Sequence, residues 1–72
     1  MEEAKRYQCY PGCPIIAENG NTIYLIYEPW CSENARIIAE ELEREGKSVT
    51  MLPRIAEEDE LVEGILRECT WR

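Results

Sequence analysis

The apolar positions of this chain change period several times, and each change marks an element. Thr22-Ile23-Tyr24-Leu25-Ile26-Tyr27 is apolar on both alternating faces, the pattern of a strand within a sheet that is covered on both sides or nearly so. Asn19-Gly20 just before it is a tight-turn signal between apolar runs, and residues 14–18 on the other side of the turn predict an antiparallel partner. If Glu18 faces Thr22, paired residue numbers sum to about 40, give or take one for turn type. Glu28-Pro29-Trp30-Cys31 then breaks the strand. Ser32 is a good N-cap, Glu33 suits the helix dipole, and Ala35, Ile38, Ala39 and Leu42 recur at helical spacing, so a helix is predicted over residues 32–45. Gly46 is placed to end it. Residues 49–52 read as a strand stopped by Pro53. Leu61, Val62, Ile65, Leu66 and Cys69 make the apolar stripe of a last helix over residues 58–68, with Glu57, Glu58, Asp59 and Glu60 supplying negative charge at its start. Gly64 inside that helix costs about 1 kcal/mol relative to Ala, which suggests close packing there.

Residues 4–10 read as a further edge strand, joined to the next by Tyr10-Pro11-Gly12-Cys13, whose Pro-Gly centre is a type II turn signature. The expectation is one α/β (α+β) domain over residues 1–72. It has a small mixed sheet of three or four strands and two helices on one face, in the order (β)-β-β-α-β-α. The unit over residues 22–52 is a strand-helix-strand crossover, so its strands should be parallel and its hand right.

Charge narrows the partners. Eight Lys and Arg against fifteen Asp and Glu give a net charge of −7, which disfavours nucleic acid and anionic membranes. No run approaches the ~18 apolar residues of a membrane helix, and residues 1–6 lack the apolar core of a signal peptide. A monomer with a protein partner is the expected state. There is no His, which removes the commonest general base and metal ligand. No phosphate loop or nucleophile elbow is visible, and no cofactor is expected. The carboxylates at residues 57–60 and on the first helix are adjacent in sequence and diverge around a helix, so they read as solvated faces.

A chain of 72 residues buries only roughly 60% of its unfolded surface and needs a staple. Cys9, Cys13, Cys31 and Cys69 can form two disulfides. Cys9 and Cys13 lie near the end of the sheet where Cys31 begins its helix, so Cys13–Cys31 or Cys9–Cys31 is the expected bridge. A helix starting at that end carries Cys69 about 18 Å away at 1.5 Å per residue. Cys31–Cys69 is therefore the least favoured pairing. Either an N-terminal cysteine reaches Cys69, or Cys69 stays a buried free thiol. A structural zinc site wants paired ligand spacings in both halves, which the second half of this chain lacks, and no metal is expected.

Tyr10, Trp30 and Trp71 lie in loops or near the end of the chain, where a small core does not readily cover them. Exposed Tyr and Trp favour protein interfaces.

Two resemblances bear on function. Ile26-Tyr27-Glu28-Pro29-Trp30-Cys31, followed by a helix and a parallel strand, resembles the first β-α-β unit of thioredoxin-like and glutaredoxin-like proteins over residues 22–52. The resemblance implies that Cys31 is an attacking thiolate at a helix N-terminus. Asn34 stands where that family has its resolving cysteine, leaving a monothiol route or a resolving thiol from Cys9 or Cys13. Ala35-Arg36-Ile37-Ile38-Ala39-Glu40-Glu41-Leu42-Glu43-Arg44-Glu45-Gly46 is similar to the idealised helices of de novo designed α/β mini-proteins, as is the segment over residues 19–28. That resemblance implies a stable, thermostable scaffold or binding module without catalytic activity, stapled by disulfides.

Overall fold

The computed structural model describes residues 6–54 and 59–72. In chain order it contains β1 (Tyr7–Tyr10), β2 (Ile15–Asn19), β3 (Thr22–Tyr27), a 3-10 turn (Pro29–Cys31), α1 (Ser32–Arg44), β4 (Ser48–Pro53), α2 (Glu60–Arg67) and β5 (Cys69–Trp71). The strands form one mixed sheet in the order β4-β3-β2-β1-β5. Residues 4 and 5 of the expected edge strand, the loop at 55 and 56, and residues 57 and 58 at the expected start of the last helix lie outside the described residues.

The Asn19-Gly20 turn joins β2 and β3 as an antiparallel pair. Ile15 faces Ile26 and Asn19 faces Thr22, so paired numbers sum to 41. Gly20 takes φ 63°, a left-handed value that costs glycine no Cβ clash. β3 and β4 run parallel, as the crossover requires, with Ile23 facing Val49 and Leu25 facing Met51. β1 is a true strand, antiparallel to β2.

Both helices are bounded by identifiable hydrogen bonds. The N-cap of α1 is Cys31, not Ser32, and no side chain caps it. Pro29 opens a 3-10 turn whose Cys31 N–H donates to the Glu28 carbonyl at 3.0 Å, and this turn moves the boundary back by one residue. At the other end Gly46 adopts φ 88°. Its N–H donates to the Glu43 carbonyl and the Lys47 N–H to the Leu42 carbonyl, at 3.0 and 3.1 Å, a Schellman closure. Asp59 caps α2, its Oδ1 accepting from the Leu61 and Val62 N–H groups at 3.1 and 3.3 Å.

The structure corrects three further expectations, and a fifth strand accounts for two of them. α2 ends at Arg67, and Cys69 lies on β5, parallel to β1 at the far edge of the sheet, with Tyr7 facing Cys69 and Cys9 facing Trp71. The sheet therefore has five strands rather than three or four. The two helices also lie on opposite faces. Ile23, Leu25 and Ala39 form one buried cluster, joined by Ile16, Ile38, Leu42, Val49 and Met51. Tyr7, Cys9, Ala17, Ile26, Val62 and Ile65 form the other. The reason is handedness. The connection from β3 to β4 moves towards one edge and that from β4 to β5 moves back across the whole sheet; right-handed crossovers in opposite directions put their helices on opposite faces. β3 is thus apolar on both sides because each side has a helix.

The third correction concerns Gly64. A Cβ built there meets nothing within 4 Å, so the glycine does not mark close packing. Gly64→Ala is expected to stabilise the protein by about 1 kcal/mol, raising the melting temperature by roughly 4–8 °C. A thermal melt checks it, and a lower melting temperature would contradict the open space seen here.

Candidate functional site

β1 and β3 are both antiparallel to β2, so they run the same way, and β4 and β5 follow them. Four strands therefore end at one edge of the molecule. Tyr10 closes β1, Trp30 follows β3 and Trp71 closes β5.

One bridge ties this end together, and the other joins β1 to the start of β5. Cys13 is bonded to Cys31, with Cα atoms 6.0 Å apart, and Cys9 to Cys69, at 5.5 Å. Of the two expected partners for Cys31, Cys13 is the one used. Pro11-Gly12 reverses the chain, so Cys9 falls back opposite Ala17 and beside β5 rather than continuing towards Cys31. That reversal also delivers Cys9 to Cys69. The first bridge pins the β1–β2 connection to the start of α1. The second pins the three-residue β5 to its neighbour. Cys9 and Cys31 are buried, while Cys13 and Cys69 are half-buried.

Trp30 is 76% exposed, the largest apolar group left in water among the described residues. It is nevertheless held. Its backbone sits in the Pro29–Cys31 turn, one residue from a bridge. Its Nε1–H donates to the Glu28 carboxylate at 2.7 Å. Glu28 is the partner of Trp30 that the chain's pattern does not reveal, since a carboxylate two residues before a Trp reads as an ordinary loop charge.

Tyr10 and Trp71 are 37% and 49% exposed. They share the end of the sheet with Trp30 but point to opposite faces. Tyr10 alternates with the inward Cys9 and so emerges on the side of α1. Trp71 is in register with Cys9 and emerges on the side of α2. The three rings surround an end of the molecule and do not form one continuous plane.

A shallow hollow of about 270 Å³ lies between Tyr27, Ser32, Glu33, Arg36 and Met51, small beside ligand cavities of roughly 300–1,000 Å³. Among the described residues no three metal-ligating side chains gather, and no helix is long and apolar enough to cross a membrane. No family model matches the chain, and neither a curated protein nor a solved structure matches it.

Proposed function

We propose that this protein is a disulfide-stapled scaffold that binds a protein partner through the strand-end aromatics Trp30, Tyr10 and Trp71, without turnover of its own. One observation carries the reading: Trp30 is almost fully exposed and yet fixed by its turn, the neighbouring bridge and Glu28. An exposed indole is a liability unless something covers it. A rigid one loses little side-chain entropy when covered, which is what makes Trp an effective anchor.

A second reading rests on the bridge at the N-terminus of α1. The reduced pair would transfer electrons to a substrate disulfide. The Cys31 thiolate attacks and releases one substrate thiol. Cys13 then displaces the second thiol and restores the Cys13–Cys31 bond, and an external dithiol returns the pair to the reduced form.

Two experiments separate the readings. Peptides selected from a displayed library on the oxidised protein should bind it about thirtyfold tighter than Trp30→Ala, the ratio a hot spot of about 2 kcal/mol gives. Trp30→Ala itself should change stability by no more than about 0.5 kcal/mol, because the ring is exposed. In an insulin-reduction assay with dithiothreitol, no rate above background is expected. Equal peptide affinities would remove Trp30 as the anchor, and reductase turnover lost in Cys31→Ser would favour the redox reading instead.

A further inference from the structure

The phase of hydrogen bonding along β4 leaves one edge of the sheet with unused backbone groups. β4 ends the sheet and pairs only with β3 among the described residues. The Ser48 N–H donates to the Asn21 carbonyl at 2.9 Å, and the Arg54 N–H to the Tyr27 carbonyl at 2.7 Å. Inward-bonding residues alternate along a ladder, so Ser48, Thr50, Leu52 and Arg54 turn their backbone groups to β3. The N–H and C=O groups of Val49 and Met51, and the Pro53 carbonyl, therefore point away from the sheet. Open edges are usually guarded by a charge, a bulge or a proline. The register with β3 is unbroken from Ser48 to Pro53, so no bulge turns this edge aside. The strand carries no charge between Lys47 and Arg54, and Pro53 guards only its end.

The space beside this edge is shaped on one face. α1 packs more closely over β4 than over β3. Its flank carrying Ser32 and Arg36 borders the hollow with Met51 and Tyr27. Val49 and Met51 point to the α1 face, where they join the cluster of Ile23 and Leu25. On a strand added to β4, the residue facing Met51 sends its side chain to that same face, beside Met51 and into the hollow. Met51 makes the hollow apolar. Glu33 and Arg36 in its lining carry opposite charges, so it favours a neutral side chain. Thr50 points to the other face and is exposed, so the alternate residues of such a strand stay in water.

We propose that the open edge of β4 binds an extended segment of a protein partner as an antiparallel sixth strand, with a Val, Ile or Leu facing Met51 and seated in the hollow. This rests on the reading of the protein as a binding module but not on Trp30 as the anchor. Two residues of the segment, facing Val49 and Met51, each exchange a pair of hydrogen bonds with β4. A helix has no spare backbone groups to offer this row. A second copy has them, but antiparallel pairing of two β4 strands sets both α1 helices on one face. With the strands about 4.8 Å apart, the two helices close the hollow between them. A second copy also brings seven more negative charges to the contact. A segment without a helix of its own meets neither obstacle.

The test uses the full, oxidised, isotope-labelled chain. The probes are two end-capped peptides of about eight alternating Val and Thr residues. One is N-methylated on its threonines, which leaves the Val N–H groups free; its twin is N-methylated on its valines. In the protein alone, the Val49 and Met51 amides should exchange with solvent far faster than those of Thr50 and Leu52. The threonine-methylated peptide should shift the Val49 and Met51 signals to saturation and slow their exchange. It should bind at least about tenfold tighter than the twin, which cannot donate to the Val49 and Met51 carbonyls. It should bind Trp30→Ala equally well. Slow Val49 and Met51 exchange in the protein alone, equal binding of the twins, no saturable shift, or a dimer formed through β4 would overturn the proposal. If the twins fail in this way while the library-selected peptides still lose affinity in Trp30→Ala, the edge falls and the binding function stands. If the selected peptides fail as well, both fall.

Discussion

Excess dithiothreitol will lower the melting temperature of this protein by well over ~20 °C. The bridges close loops of 60 and 18 residues, for which the chain-entropy relation gives about 4 and about 3 kcal/mol. The smaller loop is nested in the larger, but the dependence on length is logarithmic, so the sum changes little. A domain of this length has a total stability of about 4–11 kcal/mol. Losing about 7 kcal/mol removes most or all of it. Circular dichroism melts of oxidised and reduced protein measure the difference directly. At roughly 4–8 °C per kcal/mol, a shift of well over 20 °C is expected. An unchanged melt after complete reduction would mean that the core, and not the bridges, holds the sheet together.

Leu25→Ala should have the next largest effect. Leu25 is fully buried on β3 beneath α1, beside Ile23 and Ala39. α1 rests on few large side chains there, so truncation leaves a cavity that the sheet cannot close by moving. A loss of about 2–5 kcal/mol is expected, against less than about 0.5 kcal/mol for Ile37→Ala on the wet side of the same helix. Urea titrations of both variants check this. The Leu25→Ala midpoint should fall sharply with the slope unchanged, and similar midpoints for the two would contradict the placement of the core.

The parts of this fold that are plain in the sequence are those fixed by neighbours. The β2–β3 hairpin follows from Asn19-Gly20 and the flanking apolar runs. The parallel pairing of β3 and β4 follows from an apolar strand, an amphipathic helix and a second strand. β5 is a different case. Cys69-Thr70-Trp71 is three residues long, follows α2 after one residue and pairs with β1, about 60 residues away in sequence. No local pattern distinguishes such a strand from the last turn of a helix, and Cys69 continues the helical spacing of Val62 and Ile65. Leu61 shows the same limit: it fits the stripe and is 55% exposed. Once β5 is missing, the opposite placement of the helices cannot be derived, because the direction of the second crossover is unknown. The site is legible in a similar proportion. The exposure of Tyr10, Trp30 and Trp71 follows from their places outside element interiors. Their split between faces depends on the β1–β5 register, and the fixing of Trp30 depends on Glu28.

The stapled scaffold stands or falls on its connectivity, and a non-reducing peptide map with a count of alkylatable thiols in the denatured, unreduced protein measures it in one step. No free thiol should be found, and the linked peptides should join Cys9 to Cys69 and Cys13 to Cys31. Four alkylatable thiols, or a map that joins Cys9 to Cys31, would contradict the account.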